Sequence, residues 1–226
     1  SLGLVGSEMC IRDSSLFIRL SNIDTWGLVF YRGIIPFLTV FFGMLLIYKL
    51  NFFKILFKSG YHGIIYVATF SITNITFVVS IQNTNVANTL VMIATAPMLS
   101  AILGAIVLKE PPDKKTWLSI IVTFFAIIYI FFDSLKLGNF YGDILGFITA
   151  IGLAVGAITI RSAKSKNLVP AAVVGKLFVA TFALFFIESF ALLEKDLIIV
   201  PLMCILCVAI PVSYTHLRAH ETEAEL

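Results

Sequence analysis

Long apolar runs alternate with short charged segments along this chain. Between Trp26 and Val212 there are seven stretches of about 16–25 mostly apolar residues. A helix rises about 1.5 Å per residue, so roughly 20 residues cross a hydrocarbon layer about 30 Å thick. Lipid offers no partner for backbone N–H and C=O groups, so runs of this length are predicted to be helices. A stub of a first helix is expected to end near Arg19. Further spans are expected at residues 26–47, 63–81, 86–108, 117–132, 144–160 and 168–193, and an eighth from 197 to 212. The pattern predicts an all-α membrane protein, a polytopic helical bundle of about seven to eight helices in this chain.

The charges between the runs are one-sided. Lys49, Lys54 and Lys58 follow the second span, Lys109, Lys114 and Lys115 the fourth, and Arg161, Lys164 and Lys166 the sixth. The opposite loops carry Lys136 and Lys195, with Arg19 at the stub. Nine basic residues against three place the 49–62, 109–116 and 161–167 loops in the cytoplasm by the positive-inside rule. Composition agrees with a membrane protein: 59% of residues are hydrophobic and the mean hydropathy is +1.01. The formal net charge of +3 is modest and gives no reason to invoke nucleic acid.

The two ends differ from the rest. Ser1–Ser14 (SLGLVGSEMCIRDS) and Ser213–Leu226 (SYTHLRAHETEAEL) resemble translated sequencing-adaptor artefacts and are set aside. The remaining core has 14 basic and 8 acidic residues. Within it, Val29-Phe30-Tyr31-Arg32 through Phe41-Phe42 can be laid over Val173-Val174-Gly175-Lys176 through Phe185-Phe186. The second member lies five helices after the first, so a repeat on this register is inverted in the membrane. Inverted repeats mark transporters that rock around a midplane site.

The stretch Gln82–Leu108 with Lys109-Glu110 reads QNTNVANTLVMIATAPMLSAILGAIVLKE. A polar loop leads into a small-residue helix with a central proline, which closes on Lys-Glu. With Tyr31-Arg32-Gly33 in an earlier helix and Gly142-Asp143 leading into Gly146, Ala150 and Gly156, this resembles the EamA-like branch of the drug/metabolite transporter superfamily. The resemblance implies ten helices in two inverted five-helix repeats. Here a first repeat would cover 15–140, with most of its first helix lacking. A second would cover 141–212, cut in its third helix, and the flanks 1–14 and 213–226 would fall outside both.

Several residues are candidates for function. Arg32 lies about six residues inside its span, toward the outer end; it either anchors a substrate carboxylate or phosphate or snorkels to the headgroups. Lys176 mirrors it and is expected near the cytoplasmic end of the seventh span. Ser71 and Asn74 share one helix face, while Thr73, Thr76 and Ser80 form a second stripe. Asn88, Thr89 and Thr95 follow in the next span. Polar groups in hydrocarbon need partners, so these side chains either line the substrate path or bond helices together. Pro97 cannot donate to the carbonyl of Ile93 and should kink the fourth span; the kink either shapes the cavity or offers a carbonyl to substrate. Glu110, beside Pro111-Pro112, is either a clasp to nearby lysines or a gate, and Glu188 either carries a coupling proton or sits at the interface. Gly142, Gly146, Ala150, Gly152 and Gly156 are read as packing residues.

Other motifs dissolve on inspection. Cys204 and Cys207 make a CxxC inside an apolar span with no His or second pair nearby, and Asn74-Ile75-Thr76 is a glycosylation sequon in mid-span. No catalytic residue, metal site or cofactor is predicted. The resulting expectation is a secondary transporter, not an enzyme, of small organic metabolites such as amino acids. It would sit in the bacterial inner membrane as a multi-pass protein and act by alternating access, chiefly in export. Its partners would be the solute and the lipid bilayer, with a homodimer open. The alternatives are an integral-membrane enzyme acting on lipid precursors and a channel or non-transporting scaffold.

Overall fold

The computed structural model describes residues 24–48, 51–109, 112–137, 140–163 and 168–187. These residues form helices and no strand, as the apolar runs require. They are α1 (Thr25–Tyr48), α2 (Asn51–Asn83), α3 (Val86–Ile93), α4 (Ala96–Leu103), α5 (Lys114–Leu137), α6 (Phe140–Ser162) and α7 (Val169–Leu184). A π-helical segment, Gly104–Leu108, continues α4. Four stretches are long and apolar enough to cross a membrane: Thr25–Met44, Leu56–Asn83, Val86–Leu108 and Phe140–Ser162. The protein is an all-α polytopic membrane protein.

Three details depart from the expected spans. Residues 51–59, expected as part of a loop, are helical, because Phe, Ile, Leu and Lys there are helix-compatible and no proline intervenes. Gly60 then turns the chain with φ 56° and ψ −137°, a backbone geometry that side-chain-bearing residues avoid. The run 86–108 is broken at Ala94–Thr95, one turn before Pro97, which opens α4. Thr95 seals the break by donating its hydroxyl to the Met92 carbonyl at 2.6 Å. The last helix, expected to reach 193, gives way to a turn at Phe185–Phe186. The first-helix stub, the eighth span and both suspected artefact ends lie outside the described residues.

The chain packs as two compact units, one of residues 1–55 and 176–226, the other of residues 56–175. In the second unit α6 is central: α3, α4 and α5 all pack against it. Its exposed apolar surface is broad, with Trp117, Leu118, Ile121, Val122, Phe124, Phe125 and Tyr129 of α5 all outward. In water such a patch would drive association; in a bilayer it is the surface that lipid solvates. In the first unit, α1 and the end of α7 run antiparallel. Trp26 at the start of α1 stacks on Phe186 at 4.7 Å and lies 6.2 Å from Phe182.

Candidate functional site

The two polar stripes of α2 go to two different helices. Thr69, Thr73, Thr76 and Ser80 recur every three or four residues and so share a face, and Thr84 follows just past the end of the helix. Opposite them α6 presents Gly142, Gly146, Thr149, Gly152 and Gly156 with the same rhythm. The two rows meet as an antiparallel seam. Thr76 and Thr149 are joined hydroxyl to hydroxyl at 2.8 Å. Ser80 donates to the Gly142 carbonyl at 2.7 Å. A serine has one proton to give, so in the 2.9 Å pair between Ser80 and Thr89 it is Thr89 that donates. Most of these hydroxyls also lie against carbonyls of their own helix, such as Thr73 on Thr69 at 2.7 Å and Thr149 on Leu145 at 2.9 Å.

The glycines are what let the seam close. A Cβ on Gly142 would sit 2.6 Å from Thr84 Cβ and 2.7 Å from the Asn83 carbonyl carbon, and one on Gly152 would strike the Thr73 hydroxyl. At the Gly142 end lies a carboxylate, Asp143, with no exposed surface. Thr84 donates to its Oδ1 at 2.5 Å, and Asn88 Nδ2 lies 3.4 Å from its Oδ2. The sequence reading missed this cluster: starting the sixth span at Ile144 left Asp143 in a loop, whereas α6 begins at Phe140. The available signal was an acid in the first turn of an apolar helix, where the helix dipole favours negative charge.

The other α2 stripe turns toward α7. Ser71 lies 2.7 Å from its own Val67 carbonyl and 3.1 Å from the Gly175 carbonyl. Asn74, half-buried, donates to the Phe70 carbonyl at 2.7 Å. Of the predicted residues in this unit, Asn88 therefore joins Asp143, Thr89 joins Ser80, and Ser71 joins α7, while Pro97 is exposed.

The remaining predicted cations belong to the other unit, and they sit together. A Cβ on Gly33 would lie 2.7 Å from Ala180 N, 2.9 Å from Ala180 Cβ and 2.9 Å from the Lys176 carbonyl, so the backbones of α1 and α7 touch at this level. Arg32 adjoins that crossing on one helix and Lys176 on the other. Arg32 is 9% exposed and Lys176 5%, so both are buried. Pro36 lacks the N–H that would bond the Arg32 carbonyl in a regular helix. Because α7 spans Val169–Leu184, Lys176 is mid-helix and level with Arg32. Glu110 and Glu188 lie outside the described residues.

The sequence that forms these helices matches a known family. The family model described as EamA-like transporter family matches residues 14–132, more than half of the chain. The chain belongs to the EamA-like transporter family. That places it in the drug/metabolite transporter superfamily, whose members are membrane transporters of small solutes. No curated protein and no solved structure matches the chain. Within the matched region fall Arg32, Ser71, Asn74, Asn88, Thr89, Pro97 and Glu110; Lys176 and Glu188 lie beyond it.

Proposed function

We propose that this chain works as a secondary transporter of small organic metabolites, exporting them across the bacterial inner membrane by alternating access. The observation that carries the reading is the family match over 14–132 on a chain whose described residues form membrane-length apolar helices. The repeats 15–140 and 141–212 would be the halves that rock. Arg32 and Lys176 would hold the solute, helped by Ser71, Asn74, Asn88, Thr89 and the break at Pro97. Glu188 and Glu110 would serve coupling and gating. Positive-inside counting puts the 49–62, 109–116 and 161–167 loops in the cytoplasm.

The test is flux. The purified chain is reconstituted into proteoliposomes loaded with a mixture of labelled amino acids and organic acids, and efflux is followed against protein-free vesicles. Protein-dependent efflux of at least one solute class is expected. Leakage equal to empty vesicles across the whole mixture, from protein that melts cooperatively, would contradict the reading.

A further inference from the structure

The opening of α2, Asn51–Ser59, is more helix than the span needs. Beyond the turn at Gly60, residues 61–83 already reach roughly 34 Å at about 1.5 Å per residue, enough for a hydrocarbon layer about 30 Å thick. The opening segment reads NFFKILFKS and is two-sided. Positions 51, 54 and 58 fall on one helix face and hold Asn and two Lys, while Phe52, Phe53, Ile55, Leu56 and Phe57 occupy the rest. So many apolar residues are unfavourable in water, and two lysines are unfavourable in hydrocarbon; the membrane interface suits both. At Gly60 the φ of 56° interrupts the regular helix. Ser59 is buried, donates to the Leu56 carbonyl at 2.5 Å, and sits where a Cβ on Gly63 would strike its hydroxyl. Glycine at 60 and at 63 therefore lets the chain fold into a tight elbow. Around that elbow Phe57, Lys58 and Tyr61 are exposed. Exposed aromatic rings beside a lysine are the groups that anchor at a membrane–water boundary.

We propose that Asn51–Ser59 is an interfacial helix that binds anionic phospholipid headgroups. Its apolar face enters the boundary of the acyl chains, and Lys54 and Lys58 meet the headgroup phosphates. Charge and apolarity together select this segment over the other basic loops. The 49–62 loop carries Lys49, Lys54 and Lys58 and no acid, whereas Lys109, Lys114 and Lys115 are interleaved with Glu110 and Asp113. The 161–167 loop, RSAKSKN, has the charge without an apolar face. Positive-inside counting puts the 49–62 loop on the cytoplasmic side, where anionic lipid collects. The helix shares that side assignment with the transporter reading, but its lipid contact does not depend on transport.

The chain has two tryptophans, so Trp26→Phe and Trp117→Phe with Phe57→Trp leave a single fluorescent reporter on this helix. The full chain carrying these changes is reconstituted into phosphatidylcholine bilayers whose lipid is brominated either high or low on the acyl chain. A companion chain carries Phe125→Trp instead, on the exposed face of α5. The high bromines should quench position 57 more strongly, and the low bromines position 125. Stronger quenching of position 57 by the low bromines, or none by either, would overturn the interfacial placement. At equal amounts of brominated lipid, phosphatidylglycerol should quench position 57 about twofold more than phosphatidylcholine. Lys54→Gln with Lys58→Gln should remove that preference at unchanged melting temperature, and Lys54→Arg with Lys58→Arg should keep it. Equal quenching by the two lipids, or a preference that survives the glutamines, would overturn headgroup binding. In the chain with its native tryptophans, the glutamine pair should also lower the phosphatidylglycerol retained through purification relative to phosphatidylcholine; unchanged retention would overturn headgroup binding by itself. Quenching and retention are read without flux, so failure of the lipid contact leaves transport standing, and absence of flux leaves the lipid contact standing.

Discussion

The α2–α6 seam and the α1–α7 crossing both rest on close glycine contacts but carry different polar groups. In the seam, each hydroxyl or amide has a counterpart close by: Thr76 has Thr149, Ser80 has Gly142 and Thr89, Thr84 has Asp143. Glycines bring the backbones near enough for those short bonds. At the crossing, glycine again gives close approach, but the flanking side chains are two buried cations. A seam of matched neutral groups is a device for holding helices together. Two buried cations beside a backbone contact are instead where the proposed function puts the solute. Substitutions in the seam should therefore cost folding, and substitutions at the crossing should cost transport.

The sharpest break should come from Gly142→Ala. Its Cβ would meet backbone as well as Thr84, and backbone cannot swing aside. A loss of about 3 kcal/mol is expected, read as loss of monodisperse, cooperatively melting protein in detergent. Normal yield and melting would show that α6 can shift and that the seam is loose. Next comes Asp143→Ala, which strips Thr84 and Asn88 of a shared acceptor. It should cost about 1–3 kcal/mol in thermal melts, while Asp143→Asn should recover most of that by keeping a carbonyl for Thr84. Equal effects of the two changes would mean that the charge, not the hydrogen bonding, matters there.

Thr76→Val should be milder. Single interhelical bonds in membranes average about 0.6 kcal/mol, so a shift of a degree or two in melting temperature is expected, with flux per folded protein unchanged. A large flux defect would move Thr76 from the seam to the solute path. Smallest of all is Gly156→Ala. Its Cβ would meet only Tyr66 Cε2, at 3.9 Å, so the better helix propensity of alanine should add a few tenths of a kcal/mol up to about 1. Destabilisation there would show that the seam runs tighter at this end than its clearances imply.

Much of this was legible in the sequence because lipid leaves the backbone few options. Apolar runs such as 26–47 and 86–108 had to be helical, and α1 and the α3–α4 pair with its π-helical continuation follow them within a few residues. The break before Pro97 was legible for a covalent reason, the absent N–H. The 3.6-residue period likewise separated the Ser71–Asn74 face from the Thr73–Thr76–Ser80 face. What could not be read was partnership. Nothing in one chain's periodicity says that Gly142 and Thr84 meet, or that Gly33 lies against Lys176. Such pairings depend on which helices neighbour each other. Asp143 was hidden by a boundary error of four residues, and the end of the last helix was placed nine residues too far. Helix ends are weakly specified when apolar residues continue past them, as they do after Leu184.

The most direct test of the contrast is solute efflux per folded protein from proteoliposomes carrying Lys176→Gln, against the unmodified chain and Thr76→Val. The account predicts efflux of organic anions at background for Lys176→Gln and near normal for Thr76→Val, although the first variant melts no lower than the second. Anion efflux that survives Lys176→Gln intact would contradict it, and would leave the buried cations as structural features of the α1–α7 crossing.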